Sequence, residues 1–210
     1  QMLNAFNEIL EDKQIQALIL TSSDAKNFSQ GVDVPWLMEK MQTQDFQTIK
    51  DFMYRMNDVF RRLLSFPMPV IAAMNGHAYG NGAIMACACD FRFMRTDRGF
   101  FCFPEVNIGI PFLPGMLAWT RKAIPEYFLD LMLLTGERKA AIELETNHII
   151  TKACSDLDNL MEEAFSFART FDKNRGIFGE MKRRKHKAIF DVMENEDPVY
   201  IDSMQLMVMD

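Results

Sequence analysis

Three short segments of the chain hold residue types that could do chemistry. Gly80, Asn81 and Gly82 lie between a predicted strand and a predicted helix, where free backbone N–H groups can bind an anion or a developing oxyanion. A second glycine loop, residues 28–33, can turn the N–H of Val32 outward. Two N–H groups from different loops that converge on one carbonyl oxygen form an oxyanion hole, although each loop alone could be a plain turn.

Glu105 is the third candidate, because its neighbours are almost all apolar. The flanking residues are Phe100, Phe101, Phe103, Pro104, Ile108 and Ile110. A carboxylate in an apolar pocket has a raised pKa, which a general base near neutral pH requires. The local pattern leaves a solvated loop glutamate as the alternative.

The elements that must position these residues alternate between buried strands and helices. Short apolar runs predict strands at 17–21, 70–74, 91–94 and 100–103. Apolar spacing of three and four predicts helices at 2–10, 45–65, 83–89, 116–123, 126–134, 157–171 and 177–193. Residues 104–115 are predicted to be loop, and the stretches 36–44 and 137–151 are ambiguous. The alternation indicates an α/β or mixed α+β domain without an internal boundary.

The charge, the cysteine spacing and the apolar content of the chain limit the kinds of ligand and location that we expect. The 210 residues are 49% hydrophobic and carry a net charge of −6, which argues against nucleic acid or an anionic membrane as the main partner. The four cysteines show no C-x-x-C spacing, so no metal site is expected, and Cys87 and Cys89 read as buried thiols. Without an apolar span or a recognisable targeting signal, we expect a reducing, cytoplasmic location.

Taken together, the three segments resemble motifs of the crotonase, or enoyl-CoA hydratase/isomerase, superfamily. Residues 28–33 resemble its first oxyanion-hole motif, and residues 69–82, continuing to Cys89 and Asp90, resemble its second and most specific motif. Residues 103–109 resemble the segment that holds the family's second glutamate. The order and spacing match, and the resemblance extends from about residue 17 to residue 136.

This resemblance implies a fold and a ligand. The fold is a crotonase-like spiral of ββα units over residues 1–136, here without the strand pair that usually precedes the first helix. Residues 137–210 would form a helical region that builds a homotrimer or a dimer of trimers. The ligand is an acyl-CoA, with the thioester oxygen held by the N–H groups of Val32 and Asn81. Coenzyme A is then part of the substrate, and no separate cofactor is expected.

The resemblance also implies roles for individual side chains. Catalysis falls to Glu105. The residues expected to contact coenzyme A are Lys26, Ser29, Gln30, Val34 and Gly80, and those expected to line the acyl pocket are Trp36, Leu37, Ile84 and Phe112. The basic run 182–187 could meet the phosphates of coenzyme A, but a solvated helix face is the favoured interpretation. Asp90 is expected to have a structural role.

The predicted reaction depends on which residue occupies the position of the first catalytic glutamate of the family's hydratases. Hydratases of this family use two glutamates, and here Ile84 occupies the place of the first. One glutamate is enough to move a proton from C2 to C4 of a 3-enoyl-CoA, the pattern of the monofunctional Δ3,Δ2-enoyl-CoA isomerases. The predicted function is therefore enoyl-CoA isomerase. Alternatives are a hydratase or another reaction of the family, a non-catalytic acyl-CoA-binding or subunit-interaction protein, and a generic nucleotide-binding α/β protein.

Overall fold

Seven parallel strands in the described part of the chain divide between two sheets. The computed structural model describes residues 1–208. The strands are β1 (Leu18–Leu20), β2 (Asn27–Ser29), β3 (Val70–Met74), β4 (His77–Tyr79), β5 (Phe91–Arg95), β6 (Phe101–Cys102) and β7 (Lys152–Cys154). One sheet has the order β1-β3-β5-β7 and the other the order β2-β4-β6. Successive strands from β1 to β7 therefore alternate between the sheets, as a spiral of ββα units requires.

Helices surround and connect the two sheets. They are α1 (Met2–Glu11), α2 (Val34–Gln42), α3 (Phe46–Ser65), α4 (Asn81–Ala88), α5 (Glu105–Ile108), α6 (Pro114–Ala123), α7 (Glu126–Thr135), α8 (Ala141–Thr146), α9 (Leu157–Ala168), α10 (Arg175–Lys185), α11 (Lys187–Asn195) and α12 (Asp197–Asp202). The long helix α3 begins where the Asp45 carboxylate accepts the N–H of Thr48, and it ends just before Pro67. No helix within residues 1–208 is long and apolar enough to cross a membrane.

The core lies on both sides of β3, whose five residues are all buried. Helix α9 packs on the first sheet, and α3 and α4 pack against each other near the second. All four cysteines are buried and free, which confirms the prediction for Cys87 and Cys89. Burial raises the pKa of the Cys87 thiol to about 11 and that of the Cys89 thiol to about 12, so neither is a nucleophile near neutral pH.

Three strands were missed by the sequence prediction. They are β2, β4 and β7, which have three residues each and lie in stretches that were predicted to be turns or irregular chain. Each is a strand because a neighbouring strand pairs with it. β7 completes the first sheet, so the region 137–210, predicted to be helical, also contributes a strand to the core.

Helix boundaries differ from the prediction in three places. The predicted loop 104–115 contains α5 and the start of α6, and the predicted helix 177–193 is interrupted at His186. The ambiguous stretch after Asp33 is helix α2. Its first turn is capped by the Asp33 carboxylate, which accepts the N–H of Trp36 at 3.1 Å.

Candidate active site

The two glycine loops pack directly against each other. A Cβ atom on Gly31 would lie 2.9 Å from the backbone nitrogen of Asn81, and one on Gly82 would lie 2.3 Å from the carbonyl oxygen of Ser29. Gly31 also has φ +87°, a conformation that side chains disfavour. Only glycine permits this approach, and Val32, the next residue, lines the same cavity as Asn81.

Both of these N–H groups are available to a ligand. Asn81 is the first residue of α4, so its N–H has no acceptor inside the helix. The N–H of Val32 likewise has no acceptor in the described part of the chain. The α4 dipole adds partial positive charge at the same place. The arrangement can hold an oxygen that gains negative charge during a reaction.

Glu105 faces this pair of loops from α5. A Cβ atom built on Gly80 would lie 3.0 Å from the Glu105 Oε1 atom, so the carboxylate is packed against the Gly80 backbone. The Oε2 atom is buried and has no hydrogen-bond partner among residues 1–208. Burial raises the pKa of Glu105 to about 7, against a smaller lowering by its own backbone N–H. The carboxyl group can therefore both accept and donate a proton near neutral pH.

An apolar cavity joins Glu105 to the two N–H groups. Its volume is about 100 Å³, several times the space that one water molecule needs. The lining residues are Gln30, Val32, Val34, Leu37, Met53, Met56, Gly80, Asn81, Ile84, Pro104, Glu105, Ile108, Ile110, Pro111, Phe112, Leu113, Met116 and Leu206. Glu105 is the only ionisable side chain in this set.

The cavity brings together most of the predicted site residues. Of those expected to contact coenzyme A, Gln30, Val34 and Gly80 line it, as do Leu37, Ile84 and Phe112 from the predicted acyl pocket.

Two further residues expected to contact coenzyme A are not part of the described cavity wall. The Ser29 hydroxyl accepts the N–H of Gly31 at 3.2 Å. Lys26 is exposed, and its carbonyl oxygen accepts the N–H of His77 at 3.0 Å.

Trp36, predicted to line the acyl pocket, is not part of the described wall of this cavity. Its ring packs edge-on against Phe52 at 5.1 Å between centroids, in a neighbouring groove. That groove also reaches Val32 and Asn81. Trp36 is the third residue of α2, and the direction of this helix turns the ring toward α3.

The basic run 182–187 is not uniformly solvated. Lys182 is 5% exposed and His186 2% exposed. Lys182 donates to the Asp90 carboxylate at 2.7 Å and to the carbonyl oxygen of Leu63 at 3.0 Å. The Asp90 carboxylate also accepts the N–H of Val70 at 2.9 Å, which confirms its structural role.

Several cavity residues were not found from the sequence. Met53 and Met56 repeat at helical spacing on α3, a pattern that indicates only a core-facing side. Leu206 comes from the segment after α12, which crosses the cavity because the N–H of Val208 donates to the carbonyl oxygen of Gly109 at 2.8 Å. No local signal predicts that contact.

The fold is thus a spiral of ββα units in which two free N–H groups and a buried glutamate line one cavity. The chain belongs to the enoyl-CoA hydratase/isomerase family, whose sequence model matches residues 1–205. This confirms the resemblance and the fold class.

Relatives of both activities are similar to the chain. A mitochondrial enoyl-CoA hydratase of Pongo abelii is 31% identical over 183 residues, 87% of this chain and 60% of that protein. Enoyl-CoA delta isomerase 3 of Arabidopsis thaliana is 34% identical over 156 residues, 67% of this chain and 59% of that protein. The chain thus spans about 60% of the length of these curated relatives.

Solved structures show the same fold. An enoyl-CoA hydratase from Bacillus halodurans aligns with a TM-score of 0.82 at 22% identity, covering 92% of this chain and 77% of that one. A monofunctional enoyl-CoA isomerase from M. smegmatis aligns with a TM-score of 0.69 at 24% identity, covering 90% and 78%. The cytoplasmic location stays a prediction, since the names of relatives include mitochondrial and peroxisomal proteins.

Proposed function

We propose that this chain is an enoyl-CoA isomerase that converts a 3-enoyl-CoA to the 2-enoyl-CoA. The observation that carries the proposal is that Glu105 is the only ionisable group among the described residues that line the cavity. Ile84, which the resemblance aligns with the other glutamate of a hydratase, also lies in the cavity wall. Ile84 is 1% exposed and cannot transfer a proton.

The proposed reaction uses one carboxylate twice. The thioester oxygen accepts the N–H groups of Val32 and Asn81, which makes the C2 proton more acidic. The Glu105 carboxylate takes that proton, and the electron pair spreads over the oxygen and the C3–C4 double bond as a dienolate. Glu105 then returns the proton to C4, leaving the double bond between C2 and C3. Each oxyanion-hole donor typically contributes about 3 kcal/mol to such a transition state.

Hydration is less well supported by the same cavity. Adding water across a double bond needs one group to activate the water and one to protonate the carbon, and each contributes typically about 10²- to 10⁴-fold. With Ile84 in place of one of them, the cavity wall is apolar where the water would bind. A dry cavity instead protects a dienolate from protonation by solvent.

A direct assay with trans-3-hexenoyl-CoA tests the proposal. The wild-type chain is expected to form the conjugated 2-enoyl-CoA, and Glu105→Gln, which keeps the shape but not the base, is expected to lose about 10²- to 10⁴-fold in kcat. Glu39→Gln, on the exposed side of α2, is the matched control and should retain full activity.

Other products would overturn the isomerase assignment. Formation of 3-hydroxyacyl-CoA from added 2-enoyl-CoA, without isomerisation, would identify a hydratase. Acyl-CoA binding without turnover would identify a binding protein. The assembly proposed with this function is a homotrimer or a dimer of trimers, and sedimentation of the full chain tests it.

A further inference from the structure

A second cleft lies away from Glu105, between the start of β5, the end of α6 and α10. Its volume is about 640 Å³, and it shares no lining residue with the acyl cavity. None of the residues assigned to the proposed reaction takes part in it. What the cleft could bind is therefore a question separate from the proposed function.

Positive charge dominates the lining of this cleft. The cationic residues are Arg92, Lys122, Lys173, Lys182 and Lys185, and Asp90 is the only acidic residue of the described lining. The Asp90 carboxylate is already paired with Lys182 at 2.7 Å. The other four cations have no carboxylate partner among the residues that the structure describes. The cleft therefore carries an excess of positive charge.

Two of the excess cations are held in place by carbonyl groups. Arg92 is 8% exposed and donates to the carbonyl oxygens of Ile149, Ala86 and Cys89 at 2.8 to 3.3 Å. Lys122 donates to the Cys89 carbonyl oxygen at 2.8 Å. These carbonyl groups orient the cations but leave their charge uncompensated. Burial, and then repulsion by Arg92, lower the pKa of Lys122 to about 8, so a bound anion would be favourable here.

His186 gives an independent indication of a ligand. Its side chain is 2% exposed, and its Nδ1 atom lies 2.8 Å from the carbonyl oxygen of Leu64, so Nδ1 carries the proton. The buried Nε2 atom has no partner among residues 1–208. Burial lowers the pKa of His186, so a bound anion is needed to favour a proton on Nε2, which then donates to that anion. The charged groups around this ring are Lys122, Lys182 and Asp90.

One side of the rim of the cleft is apolar, in contrast to the floor. Ile177 and Met181 on α10 are 60% and 63% exposed, and Phe91, Phe171 and Phe178 complete the apolar side. A cationic floor below an apolar rim fits a ligand with a charged head and an apolar body.

We propose that this cleft is a second binding site, for a small amphipathic anion. A carboxylate or phosphate head would contact Arg92, Lys122 and His186, and the apolar body would lie against Ile177 and Met181. The same head-group chemistry could come from a free ligand or from a carboxylate of a second copy of this chain. The free ligand is favoured because the most buried donors, Arg92 and His186, lie at the floor of the cleft.

Calorimetric titration of the full chain with hexanoate, and with inorganic phosphate as the head group alone, tests the proposal. Hexanoate should bind the wild type more tightly than phosphate does, because only hexanoate contacts the rim. Lys185→Glu, an exposed change at the rim, should weaken hexanoate binding at least tenfold. Lys187→Glu, the same substitution at an exposed lysine outside the cleft, should alter it less than twofold. Lys122→Met should weaken binding at least as much as Lys185→Glu.

Three outcomes would overturn the proposal. The first is that neither anion binds, or that both bind Lys185→Glu as well as they bind the wild type. The second is loss of hexanoate binding in Glu105→Gln, which would place the ligand in the acyl cavity. The third is a change in sedimentation of Lys185→Glu without binding of either small anion, which would assign the site to a second copy.

The titration of the His186 ring gives a separate test of ligand contact at the floor of the cleft. The chain has three histidines, so the ring proton of His186 can be assigned by comparison with His186→Gln. Hexanoate should raise the midpoint pH of the His186 titration, since a nearby negative charge favours the protonated ring. An unchanged midpoint at saturating hexanoate would contradict contact with His186.

Discussion

At the scale of single residues, the proposed chemistry depends on where one carboxyl group lies. Glu105 begins α5, packs against the Gly80 backbone and has a buried oxygen without a partner in the described part of the chain. The same burial that raises its pKa to about 7 is unfavourable for folding once the group ionises. Function and stability are therefore opposed at this residue.

This opposition predicts a pH-dependent stability difference. The folded chain holds the Glu105 proton up to a pKa of about 7, whereas the unfolded chain releases it near 4.5, so stability falls as pH rises between these values. In urea unfolding, Glu105→Gln should therefore have a free energy of unfolding up to about 3 kcal/mol higher than wild type at pH 8, and nearly the same free energy at pH 4. An equal difference in the free energy of unfolding between the two proteins at pH 8 and pH 4 would contradict the burial of the Glu105 carboxylate.

At the scale of elements, close contacts between loops and helices determine the geometry. The loop before α2 reaches the N-terminus of α4 only because Gly31 lacks a side chain. In a separate contact, Lys182 of α10 pairs with the carboxylate of Asp90, the residue just before β5. One contact orients the N–H groups of the site, and the other attaches a C-terminal helix to the sheet.

Gly31→Ala should lower the catalytic rate without changing the fold. The new methyl group would meet the Asn81 nitrogen at 2.9 Å, at φ +87°, and so would push the two N–H groups apart. We expect kcat for 3-hexenoyl-CoA to fall about 10²- to 10³-fold, the effect of losing one oxyanion-hole donor, with circular dichroism unchanged. Gly176→Ala, at the start of α10, is the control, and equal losses in both variants would argue against a specific role for the Gly31 contact.

Lys182→Met should destabilise the chain strongly. The substitution leaves the Asp90 carboxylate, 13% exposed, without its cation, and breaking a buried pair costs about 3 to 5 kcal/mol. Arg183→Met removes an exposed cation from the pair with Glu180 and should cost less than about 1 kcal/mol. Urea unfolding measures both, and similar values for the two variants would show that the Lys182 pair is not buried in solution.

At the scale of the whole molecule, the cavity closes only because distant parts of the chain meet. Asp197, fully buried before the last segment, accepts the side-chain N–H of Asn57 at 2.8 Å and the N–H of Gly115 at 2.7 Å. This network fixes α12 to α3 and α6. The segment after α12 then brings Leu206 into the cavity that holds Glu105.

Leu206→Ala should enlarge the acyl cavity and change its selectivity. Leu206 is 5% exposed, so its truncation should lower the free energy of unfolding by about 2 to 5 kcal/mol. If the proposed function holds, the ratio of kcat/KM for 3-decenoyl-CoA to that for 3-hexenoyl-CoA should rise several-fold. Leu206→Met, which conserves volume, should leave the ratio near the wild-type value, and a rise there would exclude cavity size as the cause.

The sequence by itself determined the chemistry of the candidate site. The glycines of both loops, the apolar neighbours of Glu105 and the isoleucine at position 84 are local features, and the predicted donors and carboxylate do meet around one cavity. The α3 helix and the β3 strand were equally predictable, because hydrophobic periodicity and proline positions act within one element.

Only the tertiary structure decided the rest. The strands β2, β4 and β7 are too short to show a pattern, and their hydrogen bonds come from strands distant in sequence. The direction of Trp36 depends on how α2 lies on α3, and the burial of Lys182 depends on Asp90, 92 residues away. Leu206 reaches the cavity through packing of the C-terminal segment. In each case the deciding contact is non-local, and no window of sequence contains both partners.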